Sequence, residues 1–261
     1  MNDNTKYKKS FVAKLEFPNK KQLDMFWRKR YDKKFHTDIL GRLNKAEYAK
    51  IKDNISKWYE LQDEILHDLF TKKQSDCTIK TTFLRVKLLN EFYSTNVPDI
   101  CIYNVAKSIA TNKELHQQIL KPKDDNDKNK AVETISNILT EEIFRDCEIS
   151  IKKSIYSFAT KYCHFCNPKD YSIYDQYVAK LLSDYISKGT LECIYNNKKD
   201  IMTDLKNYKI FIKYIDIFIN KCGLPKTYKD KRVKVDNYLW LAGMMIYKKD
   251  SQVAENYKTK G

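Results

Sequence analysis

Lys161 and Asp175 stand on either side of a break in "SFATKYCHFCNPKDYSIYDQYV", residues 157–178. An amine and a carboxylate at such a break suit nucleophilic chemistry. A deprotonated lysine attacks an electrophilic carbon, and a fixed carboxylate stabilises developing positive charge or removes a proton. Ile155, Phe158, Ala159, Tyr162 and Cys166 share one helical face, so that side of the helix is the anchored one. Lys161 lies about 100° from Tyr162 around the axis. It therefore projects from the edge of the buried stripe, where partial desolvation lowers its affinity for a proton. Asn167-Pro168 ends this helix, and Asp175 precedes another whose inner face is Val178, Leu181, Leu182 and Tyr185. A carboxylate there caps free N–H groups and is held as an anion. Two rigid helix ends joined by a short loop can bring amine and carboxylate into one cleft. The plain alternative is a solvated lysine and an ordinary helix cap.

The elements around this stretch read as helices. The spacing predicts one over 20–34 and a long one from Asn44 to about Phe70, with a stripe of Tyr48, Ile51, Ile55, Trp58, Ile65 and Leu69. Others are expected over 82–93, 100–110, 131–146, 151–166 and 176–187. "NYKIFIKYIDIFINKCG" alternates over part of its length, which permits a strand, but its apolar positions also fit a helical face with Gly223 as its stop, and a helix is expected. "VDNYLWLAGMMIY" is the last regular element, followed by a polar tail. One short strand is expected in "SFVAKLEF". "KPKDDNDKNK", residues 121–130, has nothing to bury and reads as a surface loop. The polar segment 71–78 is the best internal boundary. The fold class is mainly α, with a basic N-terminal helical extension over 1–78 and a helical domain over 79–261.

Composition narrows the partners. The 261-residue chain carries a formal net charge of +15, and such a surface seeks polyanions, nucleic acid first. Nineteen Tyr and twelve Phe offer flat faces for base stacking, although Lys, Asn, Ile and Tyr are also what AT-rich codons encode. Five Gly and five Pro argue against a turn-rich barrel or sandwich. No run of about 18 apolar residues is present, so no membrane span is expected. Seven scattered Cys, without a secretion signal, imply a reducing, cytoplasmic setting and no disulfide framework.

A second stretch changes the weight of the first. "KLLNEFYSTNVPDICIYNVAKSI", residues 87–109, is an apolar helix, then Ser94-Thr95-Asn96, then a second apolar helix. With Lys161 and "IYD" ending at Asp175, it resembles the helix-hairpin-helix DNA glycosylase superfamily, most closely its 8-oxoguanine glycosylase-like branch. The likeness covers roughly residues 82–250. A group of uncharacterised proteins shares the spelling "LN-x-x-YSTN … SFA-[ST]-KYC-x-F … YxIYD" more closely still. The resemblance implies a helix-hairpin-helix glycosylase-like fold and gives each residue a role. Asp175 would stabilise charge on the deoxyribose as the glycosidic bond breaks. Lys161 would attack C1′ and form a Schiff base. Asn96, with Ser94 and Thr95, would sit at the wedge beside the flipped base. The superfamily's hairpin reads Gly-x-Gly before its lysine, where this chain has Ser157-Phe158-Ala159-Thr160. The Ser157 and Thr160 hydroxyls would then take over phosphate binding. The 14 positions from Lys161 to Asp175 are also several fewer than is usual there.

The remaining candidates are weaker. Cys163, His164 and Cys166 have metal-ligand chemistry but no second pair, so no metal or other cofactor is expected. Asp236 is a rival acid or a helix N-cap, and Trp240 a stacking face or a core residue. Lys20-Lys21, Arg28 to Arg30 and Lys226 to Lys234, within which Lys231, Arg232 and Lys234 stand out, are candidate phosphate contacts. The sequence thus points to a cytoplasmic, monomeric DNA glycosylase. It would act on duplex DNA, with or without abasic-site lyase activity, in repair or antiviral defence. Its rivals are an inactive nucleic-acid-binding protein of the same fold and a protein-interaction module.

Overall fold

The computed structural model describes residues 15–29, 61–72, 77–139, 154–194 and 200–258, and these are mainly helical, with no strand among them. The described residues fall into two compact units. The first lies within 60–174 and 204–213, the second within 1–59, 175–203 and 214–261.

In the first unit, residues 61–67 form a helix that widens into a π turn at Asp68–Lys72. Helix α1 follows at Ile79–Tyr93, capped by the Thr78 hydroxyl, which accepts from the Thr81 N–H. A 3-10 turn at Asp99–Cys101 leads into α2, Ile102–Thr111. Then come α3, Lys113–Leu120, α4, Asp125–Asn137, and α5, Tyr156–Cys166. Helix α5 is the hub. It packs on α1, α3, α4 and the π turn, and its Phe158, Ala159, Tyr162 and Cys163 are fully buried. Burial of such side chains stabilises by about 1.5–3 kcal/mol for each large one, which is why the hub is the apolar helix.

In the second unit, α6 spans Lys20–Lys29, α7 Gln176–Ser187 and α8 Lys231–Lys258. Helix α6 opens with a reciprocal cap. Asn19 Oδ1 accepts from the Gln22 N–H while Gln22 Oε1 accepts from the Asn19 N–H, satisfying two end donors at once. Its buried Leu23 and Phe26 face α8, where the Phe26 ring meets Tyr238 at 4.9 Å and Asn237 Nδ2 donates to the Phe26 carbonyl. Tyr208–Lys221 is one helix, α9, with residues 208–213 in the first unit and 214–221 in the second; Gly223, at φ +60°, follows its end. Among the described residues no helix is long and apolar enough to cross a membrane.

Several expected bounds shift for local reasons. Residues 125–130 belong to α4, not to a loop, because Asp124 accepts from the Asn126 and Asp127 N–H groups and acidic residues fill the first turn. None of residues 121–130 is buried, in line with their polarity. Helix α3, capped by Asn112, escaped the sequence reading. Helix α8 begins at Lys231, after Asp230 at φ +54°, so Asp236 lies buried inside the helix instead of capping it. The strand expected in "SFVAKLEF" falls mostly outside the described residues, and 15–17 are not in a strand. Residues 30–60 and 140–153, with the start of the Asn44 helix, also lie outside them.

Gly243 sets how closely α8 approaches α7. A Cβ there would lie 2.5 Å from the Tyr177 carbonyl oxygen and 2.8 Å from its carbon. Helix propensity alone makes Gly243→Ala stabilising by about 1 kcal/mol. The clash is with backbone, which cannot swing aside, and overpacking of this kind costs about 1–3 kcal/mol. Gly243→Ala is therefore expected to lower the urea midpoint, and an unchanged or raised midpoint would show that α8 can move away.

Candidate functional site

The segment 167–175 is a connection with a turn at 168–170 and no regular structure from 171 onward, and the first unit grips it along most of its length. Asn167 Nδ2 donates to the Ile119 carbonyl at 3.0 Å and to Asp170 Oδ2 at 2.8 Å. His164 Nδ1 lies 2.8 Å from the Tyr171 carbonyl. The Tyr208 hydroxyl accepts from the Ser172 N–H at 2.9 Å and donates to its carbonyl at 3.2 Å. Thr160 Oγ1 accepts from the Tyr174 N–H at 3.1 Å, and Ser157 Oγ donates to the Tyr174 carbonyl at 3.3 Å. The Tyr174 ring is clamped between Tyr156, at 4.7 Å, and Phe211, at 5.6 Å. Both polar groups of the Tyr174 backbone are thus satisfied by α5 hydroxyls, as a buried peptide requires.

Lys161 sits one turn beyond Ser157 on the same helix. It is only 5% exposed, and its Nζ donates to Ser157 Oγ at 2.6 Å. The amine is therefore well inside the fold, further than the stripe edge the sequence suggests. A continuous path results, from the Lys161 amine through the Ser157 hydroxyl to the carbonyl of Tyr174, the residue bonded to Asp175. Asp175 is half-buried in the second unit and caps α7, its Oδ1 accepting from the Tyr177 N–H at 2.8 Å. The capping role expected of it is present. It also fixes the carboxylate against the positive end of a helix.

The expected phosphate ligands have other occupations here. Thr160 is 0% exposed and, besides holding Tyr174, donates to the Ser157 carbonyl. Its hydroxyl is a structural group facing inward, because the Tyr174 N–H would otherwise be buried without a partner. Ser157 is half-buried and already engaged on both sides. In the Ser94-Thr95-Asn96 turn, Ser94 and Asn96 are exposed and take left-handed backbone angles, φ +46° and +58°. Thr95 is buried and donates to Asn90 Oδ1, which also accepts from the Val97 N–H, while Asn90 Nδ2 donates to the Val97 carbonyl, each at 2.9 Å. Asn90 thus locks the turn with Asn96 at its outer face. The sequence reading passed over Asn90; the only signal was an amide in an apolar helix, a few residues before a polar turn.

Other features also lay beyond it. Arg85 is buried on the inner face of α1, its Nε and Nη2 both donating to the Leu69 carbonyl and its guanidinium 5.3 Å from the Phe70 ring centre. The buried face is consequently Thr81, Thr82, Arg85, Val86 and Leu89, and Phe83 is exposed. Cys77 Sγ lies 3.3 Å from His116 Nδ1, and burial holds that imidazole below its usual range. Cys163 and Cys166 are buried, and burial pushes the Cys166 thiol up to about 12 and the Cys163 thiol well up as well. Among the described residues no three His, Cys, Asp or Glu side chains converge as a metal site would require. Of the basic candidates, Lys231 is exposed, Arg232 pairs with Asp216, and Lys234 Nζ donates to Asp24 Oδ1 at 2.9 Å.

A mainly helical protein with an engaged lysine and a capping aspartate at one connection is what the fold and site define. The chain belongs to the family described as HI_0787_N, N-terminal domain, whose model matches residues 40–170. A Haemophilus influenzae protein named "Uncharacterized protein" is 31% identical over 177 residues, 67% of this chain and 72% of its own length. No solved structure matches the chain.

The Tyr174 clamp makes a direct prediction. Thr160→Val keeps the shape but removes the acceptor for a buried N–H, at an expected cost of about 1–3 kcal/mol. Thr160→Ser keeps the oxygen and is expected to restore most of that loss in chemical denaturation. A larger loss from Thr160→Ser than from Thr160→Val would mean that the methyl group, not the hydroxyl, carries the contribution.

Proposed function

We propose that this protein is a DNA glycosylase that releases a damaged or modified base, with Asp175 and Lys161 as its catalytic residues. The observation that supports this most is the path from the Lys161 amine through Ser157 to the peptide beside Asp175. A buried lysine is costly to keep unless it is held by hydrogen bonds, and here it is bound to a hydroxyl that is itself anchored. Asp175 stabilises the positive charge that builds on the sugar as the bond from C1′ to the base breaks and its electron pair leaves with the base. The Lys161 nitrogen then bonds to C1′ and gives up a proton, and the C1′–O4′ bond opens with its electron pair leaving on O4′; the resulting imine is either hydrolysed or leads to strand cleavage. Asn96, exposed at the apex of a locked turn, is suited to fill the space a flipped base vacates. The inward Ser157 and Thr160 hydroxyls favour a second reading, a nucleic-acid-binding protein without catalysis, because they leave that end of α5 with no phosphate ligand of the expected kind.

The two readings separate by experiment. Base release from genomic and phage DNA is followed by mass spectrometry for wild type, Asp175→Asn and Lys161→Gln. Asparagine is as good a helix N-cap as aspartate, so Asp175→Asn is expected to keep the fold within about 0.5 kcal/mol. A catalytic carboxylate predicts at least about a hundredfold loss of release in that variant. Lys161→Gln is expected to abolish borohydride trapping; release that survives it identifies water as the attacking group. No release by wild type from any of these substrates leaves the binding reading.

A further inference from the structure

Two lysine runs more than two hundred positions apart in the chain meet in the second unit. Lys20 opens α6, whereas Tyr228, Lys229 and Lys234 belong to the turn before α8 and its first turn. Together with Asp24 they line a cleft of about 350 Å³. Lys234 Nζ lies 4.4 Å and Lys20 Nζ 5.9 Å from the centre of the Tyr228 ring. The Tyr228 hydroxyl donates to Asp24 Oδ1 at 2.7 Å, and Lys234 donates to the same oxygen. Those two bonds hold the Asp24 carboxyl below its usual range. Asp24 is therefore an internal counterion. It fixes ring and lysine in place and neutralises Lys234, so the cations left to act outward are the exposed Lys20 and Lys229.

We infer that this cleft seats the sugar–phosphate backbone of duplex DNA, with Lys20 and Lys229 as its phosphate contacts and Asp24 as a built-in restraint on affinity. The inference rests on the nucleic-acid part of the function proposed above, and it narrows which of the candidate basic residues carry the binding. Of the basic candidates in the run 226–234, Arg232 is committed to Asp216 and Lys234 to Asp24. Lys20, in the other chain segment, replaces them. Two exposed lysines that line one cleft can each neutralise a phosphate, and neutralising a phosphate releases a counterion, which gives binding a characteristic dependence on salt.

The test is fluorescence anisotropy of a labelled duplex of natural bases, titrated with the full chain at several salt concentrations. Lys20→Gln and Lys229→Gln are each expected to weaken binding about three- to tenfold and to lower the log–log salt slope by about 0.9, the pair together by about 1.8. Arg232→Gln is expected to leave the slope unchanged. Asp24→Asn keeps an acceptor for Tyr228 while freeing the charge of Lys234, so it is expected to tighten binding and steepen the slope by about 0.9. A wild-type slope in the double lysine variant, or weaker binding by Asp24→Asn with an unchanged melting curve, overturns the inference. The outcome is independent of catalysis. If wild type binds the duplex with these slopes but releases no base, the cleft stands and the glycosylase reading falls. If base is released and the double variant binds like wild type, the cleft falls alone.

Discussion

The backbone of Tyr174 is the constraint on which the site depends. An irregular connection that crosses the interior of a helical unit has no ladder to satisfy its peptide groups, and a buried N–H or carbonyl left unpaired costs about 1–3 kcal/mol. Two hydroxyls on successive turns of α5 meet that demand, Thr160 for the N–H and Ser157 for the carbonyl. The same requirement explains Tyr208, whose one hydroxyl serves both polar groups of Ser172. Once the connection is satisfied in this way its path is fixed. The lysine one turn beyond Ser157 then finds its amine bonded to a hydroxyl that cannot rotate freely.

Charge is distributed on a different principle. The net +15 is the excess of 49 basic over 34 acidic side chains, and among the described residues five basic side chains are matched locally: Lys87 with Asp99, Lys128 with Asp125, Lys130 with Glu114, Arg232 with Asp216 and Lys234 with Asp24. Lys87–Asp99 and Lys130–Glu114 are the more exposed of these, and exposed pairs add little stability, about 0–1 kcal/mol each. Their larger effect is to decide which lysines remain to attract a polyanion. A count of positive residues in the sequence therefore overstates the electrostatic footprint, and only the pairing pattern locates it.

What the sequence made legible follows the range of the interactions involved. Helix α7 and the cap at Asp175 were readable because the capping bond reaches only to Tyr177 and the apolar positions recur on one face. Helix α9 and its stop at Gly223 were readable for the same reason. The start of α4 was missed because a run of charged residues looks like solvent-exposed loop, although Asp124 makes it an excellent first turn. Asp236 was misplaced because a helix start can be moved upstream by a single left-handed residue, Asp230, that carries no strong pattern. Arg85, Asn90 and the inward turn of Thr160 depend on partners at the Leu69 carbonyl, the Val97 peptide and the Tyr174 N–H. A hydroxyl or guanidinium in a helix does not announce which carbonyl it will find.

The packing of α6 against α8 also orders events in time. Asp24 and Lys234 are 210 positions apart, and Phe26 and Asn237 are 211. Helix α6, ten residues long, is too short to hold its shape alone in water. During synthesis from the N-terminus it emerges early and waits, for about 10–40 s at ordinary elongation rates, until α8 appears. The first unit draws on nearly contiguous chain and needs only residues 204–213 to finish. Synthesis therefore supplies all of the first unit before α8, and the second is completed later, when α8 meets the waiting α6.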